Sequence, residues 1–136
     1  SYYADGRSLA TKDPAQAVQL LNAANSVYAG IPGAQVHMAH VDMQLAAIAL
    51  AAGEPDQAIA YADRSIPVAR QAENAALLAT LMLVKAEALE ALGDAAQARA
   101  LRLDSLGWAR YGFGAEAQVQ ARQAEIATLA ARGRRG

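Results

Sequence analysis

Gly53–Ile66 reads GEPDQAIAYADRSI, and Gly93–Leu106 reads GDAAQARALRLDSL. Laid over one another without gaps, the two keep a glycine, an acid, Gln, Ala and Ser in register. A third copy, KDPAQAVQLLNAAN, occupies Lys12–Asn25; the three starts lie 41 and then 40 residues apart. Adding 40 again lands on Gly133 in AARGRRG. The stretches before the glycines also match: LAAIALAAG, AEALEALG and AEIATLAARG. The unit is therefore a helix, a Gly-acid turn and a second helix. A fixed period of this length marks a repeat architecture.

The chain has 136 residues, and 37 of them are alanine by count. Alanine is the best helix former and a poor strand former. The composition points to an all-α fold. Helices are expected near 2–11, 14–28, 34–52, 55–71, 74–92, 95–110 and 115–131. Gly53, Gly93 and Gly133 stand where a helix ends and glycine takes a left-handed residue at low cost. Asp13, Glu54 and Asp94 are placed to cap the following helix, with Pro14 and Pro55 in a first turn. Ala58, Ile59, Ala62, Ser65 and Ile66 fall at helical spacing, with Asp56, Gln57, Asp63 and Arg64 on much of the remaining surface. Ala98, Leu101, Ser105 and Leu106 repeat that arrangement.

These residues resemble tetratricopeptide (TPR) repeats, whose pattern is roughly W-x2-L-G-x2-Y…A-x3-F with a turn between the helices. Leu45-Ala46 matches the L-G pair, Ala49 the Tyr, Gly53-Glu54 the turn, and Ala58, Ala62 and Ser65 the small positions of the second helix. Ala86, Leu89, Gly93-Asp94, Ala98 and Ser105 match in the next unit, and Ala17, Leu21 and Ala24 in the first. The chain departs from the pattern at Asp42 and Met82 in the Trp position, at Lys85 in the Leu position, and at Arg102 in a bulky apolar position. The 40-residue period exceeds the family's usual ~34. It is similar to long-period TPR-like arrays in large bacterial regulators. The resemblance implies a right-handed α-solenoid of about three stacked antiparallel helix pairs plus a C-terminal helix. That makes 1–131 one domain and 132–136 a flexible basic tail. The first unit's leading helix is short and the chain does not start with Met. The short helix favours a processed or excised chain whose missing part caps the array, and the absent Met fits that or removal of Met before Ser1.

Charge and composition narrow the function classes. Twelve Lys and Arg oppose thirteen Asp and Glu, for a net charge of -1, which argues against a nucleic-acid surface. With no cysteine, thiolate nucleophiles and Cys-ligated metals are excluded. The longest wholly apolar run, Leu45–Ala52, is far below the ~20 residues a membrane span needs. The expectation is a soluble protein, cytoplasmic or periplasmic, with no membrane insertion. No phosphate-binding glycine loop occurs; Gly112 and Gly114 form only GxG after a helix.

Three constellations bear on chemistry. His37 and His40 lie three apart on one helix, a spacing that can hold a metal, but no further ligand or HExxH motif accompanies them. Glu87 and Glu90 are similarly spaced without a nucleophile nearby. Trp108, Tyr111 and Phe113 concentrate aromatics beside Gly107, Gly112 and Gly114, which reads as packing of a turn against the last helix, with a binding hot spot as the alternative. No cofactor and no bound metal are expected.

What the TPR resemblance implies is a non-catalytic scaffold or adaptor that binds a peptide or partner helix in a concave groove lined by first helices. Counting back from Gly53 gives His40, Met43, Ala47 and Leu50. From Gly93 the same count gives Thr80, Leu83, Glu87 and Glu90, and from Gly133 Gln120, Gln123, Ala127 and Ala130. Such a groove is apolar, then acidic, then amide-rich, and suits an apolar or basic segment. The alternatives are a sensory or oligomerising arm of a longer bacterial regulator, and a small metal enzyme built on His37 and His40. Ala46 and Ala86, at the family's small position, are expected at close helix contacts.

Overall fold

A computed structural model describes residue 6 and residues 13–135. It is all-helical: α1 Pro14–Ala29, α2 Gln35–Ala51, α3 Pro55–Gln71, α4 Ala75–Ala91, α5 Ala95–Tyr111 and α6 Glu116–Arg135. No strand occurs among the described residues. The helix expected at 2–11 lies outside them, apart from Gly6. Each helix packs against its neighbours in sequence, and α4 also reaches back to α2. No helix among the described residues is long and apolar enough to cross a membrane.

The turns explain the regularity. Between α2 and α5 each connection has three residues, and the middle one takes a left-handed φ: Gly53 at 76°, Glu73 at 53° and Gly93 at 89°. In all three, the next residue's N–H donates back to the last turn of the helix. Glu54 bonds the Ala49 carbonyl at 2.9 Å, Asn74 that of Ala69 at 3.0 Å, and Asp94 that of Leu89 at 2.9 Å. These bonds satisfy carbonyls that the helix end would otherwise leave free. Glu73 adopts this conformation with a Cβ, which an L-residue tolerates poorly. So short a connection makes successive helices antiparallel, and α2 and α4 therefore run parallel.

Capping follows the expectation at two of three sites. The carboxylates of Asp13 and Asp94 each accept an N–H at 3.1 Å, from Gln16 and Gln97. Glu54 makes no such bond; its extra methylene carries the carboxylate past the first-turn donors. Asn74 caps α4 through the Leu77 N–H at 3.1 Å. Gly133 does not end a helix, because α6 runs on to Arg135. A Cβ at Gly133 would collide with the Arg99 guanidinium, which bonds the Leu129 carbonyl at 3.0 Å. Close approach, rather than a turn, is what glycine permits there.

The largest core cluster joins Ala39, Ala69, Leu77, Leu78, Ala79, Leu81, Met82 and Trp108, with Val36, Met43, Ile66, Val68, Leu101 and Phe113 packed around it. Helix α4 supplies most of it and lies on the faces of α2 and α3. Ala46 and Ala86 are fully buried. Side chains this small let helices approach closely, so packing here relies on backbone proximity as much as on bulk.

Candidate functional site

The groove where α1, α2 and α3 meet is built around one carboxylate. Asp42 sits on α2 with its side chain only 6 % exposed. A buried carboxylate is costly unless its lone pairs are satisfied, and here four donors converge on it. Oδ1 accepts from Asn25 Nδ2 at 2.9 Å and Arg64 Nη2 at 2.6 Å; Oδ2 accepts from Arg64 Nε at 2.7 Å and Ser65 Oγ at 2.8 Å. Arg64 thus grips Asp42 with two parallel bonds, the strongest geometry for this pair. The hydrogen bond to Asp42 raises the Arg64 pKa above its ordinary value, and the negative charge adds to it.

Arg64 also shows how the cluster meets solvent. Its side chain is 57 % exposed and lies over the Tyr61 ring, 5.1 Å from the centroid. It forms part of the wall of a groove of about 680 Å³ lined also by Asn22, Ser26, Gln35, Met38 and Val68. Asn25 completes the floor, and its Oδ1 is buried without a hydrogen-bond partner.

By sequence Arg64 falls on a solvated face, and Asp42 stands in the Trp position of the TPR pattern and points away from His37 and His40. The structure joins the two across helices. The signal was available: Asp42 interrupts an apolar stripe, and Arg64-Ser65 lies one helix further on. The other two charged departures are also paired. Lys85 meets Asp63 at 2.6 Å, and Arg102 meets Glu90.

The residues proposed for a first-helix groove fall into different environments. Thr80, Leu83, Glu87 and Glu90 are all exposed and follow one strip of α4. Met43 is half-buried and packs on the main core, and Leu50 packs beside the Ala49, Ala58 and Ala88 cluster. His40 is half-buried and Ala47 exposed. Gln120 and Gln123 are exposed on α6, where Gln120 Nε2 donates to Glu116 at 3.3 Å; Ala127 is exposed and Ala130 half-buried. The Thr80 hydroxyl donates to the Ala76 carbonyl at 2.9 Å.

His37 and the Trp108 aromatics make packing contacts. His37 stacks on Tyr28 with ring centroids 5.2 Å apart. Among the described residues no group of three His, Asp or Glu side chains is placed to hold a metal. Trp108 is buried between Phe113, 4.3 Å between centroids, and Arg122, whose guanidinium lies 3.6 Å from the ring centre. Arg122 adds a 3.4 Å bond to the Gly112 carbonyl. These contacts seat α6 on α5.

No family model matches the chain, and no curated protein or solved structure shows significant similarity to it.

Proposed function

We propose that the chain is a non-catalytic interaction module, a short TPR-like α-solenoid that holds a partner segment against its first helices. The observation that carries this reading is the strip Thr80, Leu83, Glu87 and Glu90. It is exposed along α4, joins an apolar side chain to two carboxylates, and suits an apolar and basic segment. The 40-residue period and the repeated three-residue turns support a repeat architecture.

Chemistry argues in the same direction. Glu125 buries one oxygen, Oε2, without a hydrogen-bond partner, and among the described residues Asp42 is the only Asp or Glu buried as a whole. It already accepts four hydrogen bonds. A carboxylate so occupied has no lone pair free to take a substrate proton.

The test is capture of binding partners by the immobilised protein, wild type against Leu83→Ala/Glu87→Ala. A partner held by wild type and lost by the folded variant supports the reading. Equal capture by both places the contact elsewhere. Salt should weaken a genuine contact through the exposed carboxylates.

A further inference from the structure

The internal period shows what covers one face of a helix pair and what leaves the next one open. Along α2 and α3, the side chains Val36, Ala39, Met43, Ile66 and Ala69 form a face that α4 covers with Leu77, Leu78, Leu81 and Met82. Forty residues on, the same positions are Ala76, Ala79, Leu83, Leu106 and Ala109. Apolar character is kept at every one, yet only Ala79 of this second face is buried, and Ala76, Leu83, Leu106 and Ala109 lie exposed. Leu83 is 43 % and Leu106 44 % exposed. Between them runs a groove of about 720 Å³, continuous at Trp108 and Gly112 with the seat of α6.

Helix α6 does not fill the groove, for a reason legible in its side chains. Its leading half, Glu116–Gln123, reads EAQVQARQ and holds no leucine. It packs on α5 through Arg122 and Ile126 against Gly107 and through Glu125 to Arg110. No contact with α4 matches the one α4 makes with α2.

Resting on the interaction reading above, we propose that the α4/α5 face docks an amphipathic helix of a partner protein that repeats the chemistry of α4. That helix carries leucines at i, i+1 and i+4 and basic residues in its C-terminal half. The leucines follow from the covered counterpart, where Leu77, Leu78 and Leu81 do this work. The basic residues follow from charge. A helix seated as α4 sits on α2/α3 runs parallel to α4, so its C-terminal half lies beside Glu87 and Glu90. Glu90 is paired with Arg102, whereas Glu87 has no ion-pair partner among the described residues. Cations near a helix C-terminus are favoured in their own right. A second copy of this chain is a poorer occupant, because its own Leu77, Leu78 and Leu81 are buried.

The probe is a dye-labelled synthetic peptide carrying residues 74–92 with Glu87→Lys and Glu90→Lys, titrated with the intact protein by fluorescence anisotropy. Saturable binding is expected, with Kd on the order of 10 µM. Leu83→Asp/Leu106→Asp in the protein should weaken it at least about tenfold, as loss of central apolar anchors does. The helical circular dichroism should be unchanged, since both side chains are exposed. Leu83→Ser alone is the gentler variant if the double change disturbs folding. Glu87→Gln should flatten the dependence on salt. Absence of saturable binding, or binding indifferent to the folded variants, overturns the proposal. So does sedimentation showing a wild-type dimer that Leu83→Asp/Leu106→Asp disperses, since the occupant is then a second copy. If the peptide fails while Leu83→Ala/Glu87→Ala still abolishes capture of a partner, this docking mode falls and the interaction reading stands.

Discussion

Where α1, α2 and α3 meet, Asp42 lies beneath Arg64, Asn25 and Ser65, with Val68 on the wall. Where α3, α4 and α5 meet, the corresponding positions hold Met82, Asp104, Ile66, Ser105 and Trp108. The register shift is 40 residues for α2 and α3 and 41 for α1. In this second place Met82, Trp108 and Ile66 pack into the main apolar cluster. Even the shared serine changes partner. Ser65 donates to Asp42 at 2.8 Å, and Ser105 to the Ala79 carbonyl at 2.8 Å. The helices and turns are alike, and the contents are opposite. A buried ion pair seldom stabilises more than apolar side chains of similar volume. The polar groove therefore holds its shape through directed bonds without the full stability that its counterpart derives from burial.

The hardest way to break this comparison is to move the polar solution into the apolar place. Met82→Asp puts a carboxylate where Asp104 stands in the register of Arg64, so no cation meets it. A loss on the order of 4 kcal/mol or more is expected. Urea denaturation measures it, and a loss below about 1 kcal/mol would mean the two places are interchangeable.

Removing the acid from its own groove should cost less. In Asp42→Ala the freed Arg64 is more than half exposed and returns to water, so no charge is stranded. Asn25 and Ser65 do lose their acceptor, for about 2 kcal/mol in the same measurement. Copying the counterpart with Asn25→Ile/Asp42→Met should recover most of that loss. A double variant no more stable than Asp42→Ala would show that the polar cluster contributes more than its apolar equivalent would.

What the two regions share should respond alike. Ala46 and Ala86 occupy the same position in α2 and α4, and both are fully buried. Ala46→Leu and Ala86→Leu should each lower stability by about 1–3 kcal/mol through overpacking. An unchanged or raised melting temperature for Ala86→Leu would mean the register is wrong.

The smallest effect concerns the turn that links the two places. Glu73 takes the left-handed conformation that Gly53 and Gly93 take in the flanking turns. Glu73→Gly should raise stability by about 1 kcal/mol, since the Cβ clash disappears while the turn's hydrogen bonds remain. Thermal unfolding that shows a loss would indicate that the Glu73 side chain has a contact of its own.

The period, the helices from residue 14 onward and the turns at Gly53 and Gly93 were legible in the sequence alone. Alanine content, glycine at fixed intervals and capping acids act within a few residues, and local rules suffice to read them. Asp94 and Asp13 cap as their positions imply, and Ala46 and Ala86 are buried as the small-residue pattern implies. Three features depended on tertiary structure. Arg64 looks like a surface residue until α2 lies beside α3, because a long side chain reaches a partner 22 residues away only through packing. Gly133 looks like a turn until α5 brings Arg99 against it. The exposure of Leu83 and Leu106 follows from where α6 settles, and that depends on Arg122, Glu125 and Ile126 meeting α5 rather than on any local preference of the α4/α5 pair.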